Sequence, residues 1–450
     1  MNTKRPRKGI RKFTVTYLLL ALFVGVLVIL IFAAPMAHKS GSFAPRKETE
    51  TVLQAAKEEH ARHTAAVEQA RKALPPNATL PYGWDYRPTL KSFRGGQFDP
   101  LMNLVSSLVN DATGISEASK TKIREALADS RKVPADNPFC FLFSAEDLSG
   151  TELLPRLSRF LHQCKPLREF EEALKLGLLE DISTAYRNPL ESELVDVSVL
   201  FAGRAVCELA EGDAPQALET LLAGYGIADL LADWPHIYGP CNRYYADRML
   251  DKALWRLVDA GPVNAADRER ILTALDARVP TDRFKKALLT HAANLEIGEE
   301  SDHRGYPDSI DLAFAFTGRG AMAAANGLIA LLGTPPYQVR EQLTDLSEHR
   351  IAGYWVNRFV DSAIEAYKMN ARESLMGDIT LLAFALKDWQ QAHGACPPSL
   401  EALQPFPLEE VPREPLTGDP IAYETSGTSF RLTGNNDGTM WPEPYWISSR

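Results

Sequence analysis

The chain has 450 residues, 45% of them hydrophobic and 24% charged, a balance that excludes a disordered or fibrous protein. Its formal net charge is −9, and six basic residues without an acid stand in the first twelve positions, so the rest carries −9 less six, or −15. A body of that charge repels phosphate backbones, which excludes nucleic acid as a partner.

Lys4, Arg5, Arg7, Lys8, Arg11 and Lys12 form the basic start. It is followed by Phe13 to Ala34, FTVTYLLLALFVGVLVILIFAA, which contains no charge, proline or amide. As a helix at about 1.5 Å per residue this stretch is roughly 33 Å long, enough to cross a hydrocarbon core of about 30 Å. Fifteen of its residues are Leu, Ile, Val or Phe. At roughly 0.3 to 0.6 kcal/mol each, their insertion is favoured by about 5 to 9 kcal/mol. Residues 13–34 are therefore expected to span a bilayer, with residues 1–12 as a cytoplasmic tail and the remainder on the far side. A cleaved secretory signal is the rival reading, but its apolar core is usually shorter, and Pro35 follows the first small-residue site at Ala34.

The next segment, residues 35–100, reads as a stalk and a connector. From Lys47 to Leu74 the sequence is rich in Ala, Glu, Lys and Arg, and Glu58 with Arg62 and Glu68 with Lys72 stand four residues apart, as on an exposed helix. His60 and His63 lie one turn apart among acids, readable as half of a metal site or as a solvated face. Residues 75–100 hold five prolines together with Tyr82, Trp84, Tyr86, Phe93 and Phe98. The prolines mark a boundary and the aromatics predict that the connector packs on a neighbour.

Residues 101–336 read as helical hairpins, apolar residues recurring at helical spacing between capping signals. Ser116 precedes a helix through Leu127. Asp213-Ala214-Pro215-Gln216 supplies an N-cap, an early proline and a capping-box partner, Asn264 with Asp267 repeats the start signal, and Thr281 opens the next helix. In residues 199–234, Ala205, Gly212, Ala217 and Leu221 fall where a tetratricopeptide-type hairpin places its contacts. The hairpin resembles one such repeat, and a hairpin of another kind would carry the same residues, since no neighbouring stretch repeats the signature at the repeat's own period. Residues 337–380 predict a long helix, or two broken at Gly377, with His393-Gly394 as the C-terminal stop.

Beyond it the period changes. Ser399 to Leu403 predicts a short helix, 411–415 and 417–420 turns, and Ile421 to Tyr423 with Ser429 to Leu432 a hairpin closed by Gly434-Asn435-Asn436-Asp437-Gly438. The run LLAFALKDWQQAHGACPPSLEALQPFPLEEVPREPLTGDPIAYETSGTSFRLTGNNDG, residues 381–438, resembles the soluble part of the major pseudopilins of type II secretion. The shared order is a helix into Gly-x-x-Pro-x-x-Leu-x-x-Leu, a Pro-x-Asp-Pro turn, a Tyr-bearing strand pair and a final glycine-rich turn. The family's headpiece directly continues its membrane helix, whereas some 340 residues intervene here. Its processing motif is also absent, because Lys12 and Tyr17 occupy the places of the required Gly and Glu. The resemblance implies an α+β module over residues 381–450. It also implies a calcium site from Asp419, Asn435 and Asp437, residues that equally form turns. No other cofactor is implied.

The whole layout resembles a group of uncharacterised bacterial envelope proteins, and that similarity names no activity. The expected architecture is mainly α: a transmembrane helix, a hairpin body and a small α+β terminal module. The expected location is the inner (cytoplasmic) membrane of a bacterium, single-pass. The five cysteines, Cys140, Cys164, Cys207, Cys241 and Cys396, include no CxxC pair, so neither a zinc knuckle nor a thioredoxin motif is present. Cys140 with Cys164 is the pairing the sequence favours, and Cys207 reads as a small buried hydrophobe.

HExxH, GxSxG, Walker A and dinucleotide-binding patterns are all absent from the sequence. Asp233-Trp234-Pro235-His236 and Glu299-Glu300-Ser301-Asp302-His303 are its best acid and histidine neighbourhoods. Two functions are therefore carried forward. One is a membrane-tethered scaffold or binding protein that engages other envelope proteins, including secretion or pilus-type machinery. The other is an envelope hydrolase whose site is assembled in the helical body.

Overall fold

The computed structural model describes residues 47–75, 80, 85, 89, 153–179, 191–234, 236–277, 281–297, 321–348, 354–403, 410–434 and 446–448. These are mainly helical, with a small antiparallel sheet near the C-terminus. The predicted span at 13–34, the helix after Ser116 and His303 lie outside the described residues. Among the described residues no helix is long and apolar enough to cross a membrane.

The main core is built on three helices, α4 (Glu191–Ala210), α5 (Ala214–Ala232) and α6 (Tyr238–Ala260), each packed on the other two. The turn between α4 and α5 follows the capping chemistry. Gly212 takes φ +87°, and the Asp213 side chain accepts the Gln216 N–H at 3.1 Å. Gly212 is exposed in that turn, so of the four hairpin contacts named above only Ala205, Ala217 and Leu221 are buried. Close approach is set by glycines whose role the sequence did not announce. A Cβ on Gly224 would stand 2.5 Å from Leu250 Cδ2 and 3.0 Å from Phe201 Cβ, wedged between α6 and α4. A Cβ on Gly239 would meet the Leu231 carbonyl oxygen at 2.5 Å. Hydrogen at these positions lets three backbones approach, and each fully buried Leu or Phe between them contributes about 1.5 to 3 kcal/mol.

Two short helices close one side: α2 (Leu153–Gln163) on α4, and α3 (Lys165–Lys175) on both α4 and α5. Leu167, Phe170 and Ala173 bury one face of α3 while Lys165 and Arg168 remain exposed. Cys164 links α2 and α3 and is buried, and its favoured partner Cys140 lies outside the described residues. Cys207 is buried in the core as expected.

The chain continues through α7 (Ala265–Asp276), capped by Asn264 on the Asp267 N–H at 2.9 Å, and α8 (Thr281–Ile297). After α9 (321–331) and α10 (Arg340–Glu348) comes α11 (Tyr354–His393), 40 residues and roughly 60 Å long. The helix is unbroken at Gly377 and runs through the boundary drawn at 380; it stops where Gly394 adopts φ +74°. Its first half puts Phe359, Ala363 and Tyr367 into a second core shared with α8 and α9, and its second half puts Ile379, Leu382 and Leu386 into the main core. Arg268 clamps Asp388 with two hydrogen bonds of 2.6 Å, and Lys387 pairs with Asp259.

The predicted stalk is α1 (Lys47–Lys72). It lies on α8, with Lys286 Nζ 2.6 Å from Glu59 Oε1. Val52 and Leu53 pack on the second core, Ala70 and Leu74 on the main one, and Thr49 and Val67 are buried. A helix of mostly alanine apolar surface still docks, because a few aligned larger residues suffice.

The short helix expected over Ser399 to Leu403 is present as a 3-10 helix at Leu400–Ala402. The expected hairpin is present as β1 (Ala422–Ser426) and β2 (Ser429–Thr433), in register from Ala422 with Thr433 to Ser426 with Ser429. A third strand, β3 (Trp446–Ser448), extends the sheet in the order β1-β2-β3. Leu400, Leu403, Ile421, Phe430 and Leu432 join the main core, so the module is seated on the helical body.

Candidate binding cleft

Between α5 and α7 the body opens into a cavity of about 510 Å³. Leu222, Tyr225, Gly226 and Asp229 face it from α5, three or four residues apart as one helix face requires. Glu269, Arg270, Thr273, Ala274 and Ala277 face it from α7, and Arg243 of α6 also lines it. Gly226 also lets α5 approach α3, where a Cβ would stand 2.8 Å from Leu174 Cδ2. Ala274 and Ala277 add little bulk on the other side.

Arg243 is 2% exposed and held by its own chain. Its Nε donates to Asp247 Oδ2 at 3.1 Å, and its Nη1 lies 3.0 Å from Asp229 Oδ1 and 3.4 Å from the Ala277 carbonyl oxygen. Asp229 also accepts Arg283 Nη1 at 2.6 Å, and Arg283 Nε reaches Asp233 at 3.0 Å. Burial works against the Arg283 charge, but Asp229 and Asp233 outweigh it and hold its pKa above the usual value. Burial pushes the Asp233 carboxyl up, against the pull of Arg283 and Lys286. At the rim Arg270 grips Glu219 with two bonds of 2.8 and 2.9 Å, which lowers the pKa of Glu219 and raises that of Arg270. Both partners are open to solvent, so this pair adds little stability. Glu269, also on the rim, is exposed and has no ion-pair partner among the described residues.

Tyr225 donates its hydroxyl to Asp251 at 2.9 Å, which leaves Thr273 as the other hydroxyl in the lining. The lining residues therefore offer contact and charge rather than a nucleophile with its base.

The residues singled out in the sequence are placed elsewhere. His236 stacks on His291 with ring centres 3.6 Å apart, outside the cleft. His236 Nδ1 accepts the Tyr238 N–H at 3.3 Å, and His291 Nδ1 accepts the Ile237 N–H at 3.4 Å, so the two imidazoles secure the start of α6. Its sequence neighbour Asp233 is used on Arg283. His63 lies 3.7 Å from Glu59 on α1. Asp419 closes the terminal turn through its main chain, its carbonyl oxygen accepting the Glu414 N–H at 2.8 Å. Asn435 and Asp437, the other two residues of the expected calcium set, lie outside the described residues. Among the described residues no group of three or more His, Cys, Asp or Glu is arranged to hold a metal ion.

Sequence reasoning did not find the cluster at α2 and the turn after α4. Ser158 donates to Glu211, and His162 stands 4.0 Å from the same carboxylate. The carboxylate sits between them, so the serine proton points to an acid and not to the imidazole, which is the wrong order for a Ser-His pair.

A second groove, also about 510 Å³, separates α11 from the terminal module, lined by Tyr337, Ser374, Asp378 and Arg413 among others. Burial, followed by the nearby Asp276 charge, raises the Asp378 pKa above its usual 3.8. The folded protein therefore holds that proton more tightly than the unfolded chain, and the residue's contribution to stability falls as pH rises from about 3.8 through the folded value. Asp378→Asn is expected to unfold at the same temperature as the parent near about pH 3 and at a higher one near neutrality, as read by thermal melts across pH.

Comparison with protein-family models, with curated proteins and with solved structures finds no match to this chain.

Proposed function

We propose that this chain is a membrane-anchored, extracytoplasmic binding or scaffold protein that presents its helical body to other envelope proteins. The reading is supported above all by the α5–α7 cleft, an open groove whose arginines are already matched by carboxylates of the same chain. Such a groove recognises a surface by shape and charge, as helical-hairpin proteins commonly do. The apolar run at 13–34 supports the tether, and the basic residues before it support an N-terminus in the cytoplasm of a bacterium. The proximity of α4 and α5 in a tight hairpin supports the tetratricopeptide-like reading. The β1–β2 hairpin and the turn closed by the Arg413–Pro420 bridge support a pseudopilin-like module and an association with secretion or pilus-type machinery.

In-cell crosslinking of the intact chain, followed by identification of what is captured, tests this function. Repeated recovery of the same envelope proteins is the expected outcome. Recovery of the chain as an isolated monomer contradicts it.

A further inference from the structure

We infer that the α5–α7 cleft takes a basic amphipathic segment of a partner polypeptide, placing an apolar side chain in the slot and an ammonium or guanidinium on the rim. The inference rests on the binding reading above and deepens it.

Charge accounting around the cleft selects the ligand. Arg243 is engaged by both Asp247 and Asp229, and Asp229 also serves Arg283. Arg270 is held by Glu219 through both oxygens and lies 3.5 Å from Asp267. An anionic ligand would have to displace a carboxylate from each guanidinium and would meet Asp229 and Glu269 as it entered. A cation that pairs with Glu269 displaces no existing ion pair, because Glu269 is exposed without an ion-pair partner among the described residues, and the nearby Arg270 is already neutralised by Glu219. The field of the whole chain acts in the same direction, its net charge being −9 and −15 without the basic start.

Shape supplies the second requirement. Leu222, Gly226, Ala274 and Ala277 give the slot apolar walls of low relief, and about 510 Å³ accommodates one or two large side chains. A lone metal cation would leave that apolar wall uncovered, whereas a helix with leucines on one face and lysines flanking them covers the wall and meets the acid together.

The full-length protein in detergent, titrated with a fluorescent peptide of about twelve residues built from Leu and Lys at helical spacing, tests this. A counterpart with Glu in place of Lys serves as the control. The Leu/Lys peptide is expected to bind with an affinity that falls as salt rises, and the Leu/Glu peptide is expected not to bind. Glu269→Lys, an exposed change that leaves the core untouched, and Ala274→Trp, which fills the slot, are each expected to weaken binding by about tenfold. Equal binding of both peptides, or unchanged binding by both variants, overturns the inference. So does a shift of Ala274→Trp from dimer to monomer, which would make a second copy the occupant. If cell crosslinking captures partners while the titration fails, the binding function stands and the cationic ligand falls. If the titration succeeds and crosslinking yields nothing, the preference of the cleft for a basic segment stands and the assignment of its partner to the envelope falls.

Discussion

Glu414→Ala is expected to cost about 3 to 5 kcal/mol, the range for removing one partner of a buried ion pair, and to loosen the terminal module from α11. Glu414 is 1% exposed. One carboxylate oxygen accepts Arg372 Nε at 3.0 Å, and the other accepts the N–H groups of Leu416 and Thr417 at 2.5 and 2.9 Å. The loop it holds is fastened again at its other polar groups. The Pro415 carbonyl oxygen accepts the Tyr337 N–H at 3.0 Å, and the Leu416 carbonyl oxygen accepts Arg340 Nη2 at the same distance. Alanine would take the carboxylate from the Arg372 guanidinium and from two amides in one step. Denaturant unfolding checks the magnitude, and faster hydrogen exchange at Leu416 and Thr417 checks the location. A loss under about 1 kcal/mol, with exchange unchanged, would mean that the loop is held by its turn geometry alone.

Arg243→Met is expected to destabilise the body by a similar amount, about 3 to 5 kcal/mol, and a compensating change at Asp247 to restore most of it. The side chain is large, buried and charged, so methionine keeps part of its volume while leaving Asp247, itself 1% exposed, without the guanidinium. Replacing both, as Arg243→Met with Asp247→Leu, removes the two charges together and is expected to approach parental stability. A double-mutant cycle read by chemical denaturation gives the coupling. Additive effects of the two changes would show that each charge is stabilised independently by other groups.

Local signals in the chain were read directly. Asp213 and Asn264 cap α5 and α7 as their spacing predicts, and the proline-free run after Pro336 contains the 40-residue α11. The β1–β2 hairpin follows from its strand-forming residues and the intervening turn. What escaped was any property that depends on a distant partner. Gly224 and Gly239 look like weak points in a helix until Leu250, Phe201 and the Leu231 carbonyl are brought against them. Arg243 and Asp247 show the spacing of an ordinary surface pair, and nothing local reveals that both are buried. Arg268 with Asp388 and Arg372 with Glu414 join positions 120 and 42 apart, separations at which spacing carries no information. Glu414 itself lies in a proline-rich turn, where an acid is unremarkable until its three donors are in place. The cleft was illegible for the same reason, since it is an absence of bulk between two helices that meet only in the fold.

The central claim is that residues 13–34 hold an acidic helical body on the outer side of a bilayer, where its cleft can meet a partner. A reporter active only outside the cytoplasm, fused after Arg450, tests it most directly. The account predicts an active reporter that stays with the membrane fraction. A silent reporter at that position, with a cytoplasm-dependent reporter active in its place, would contradict it.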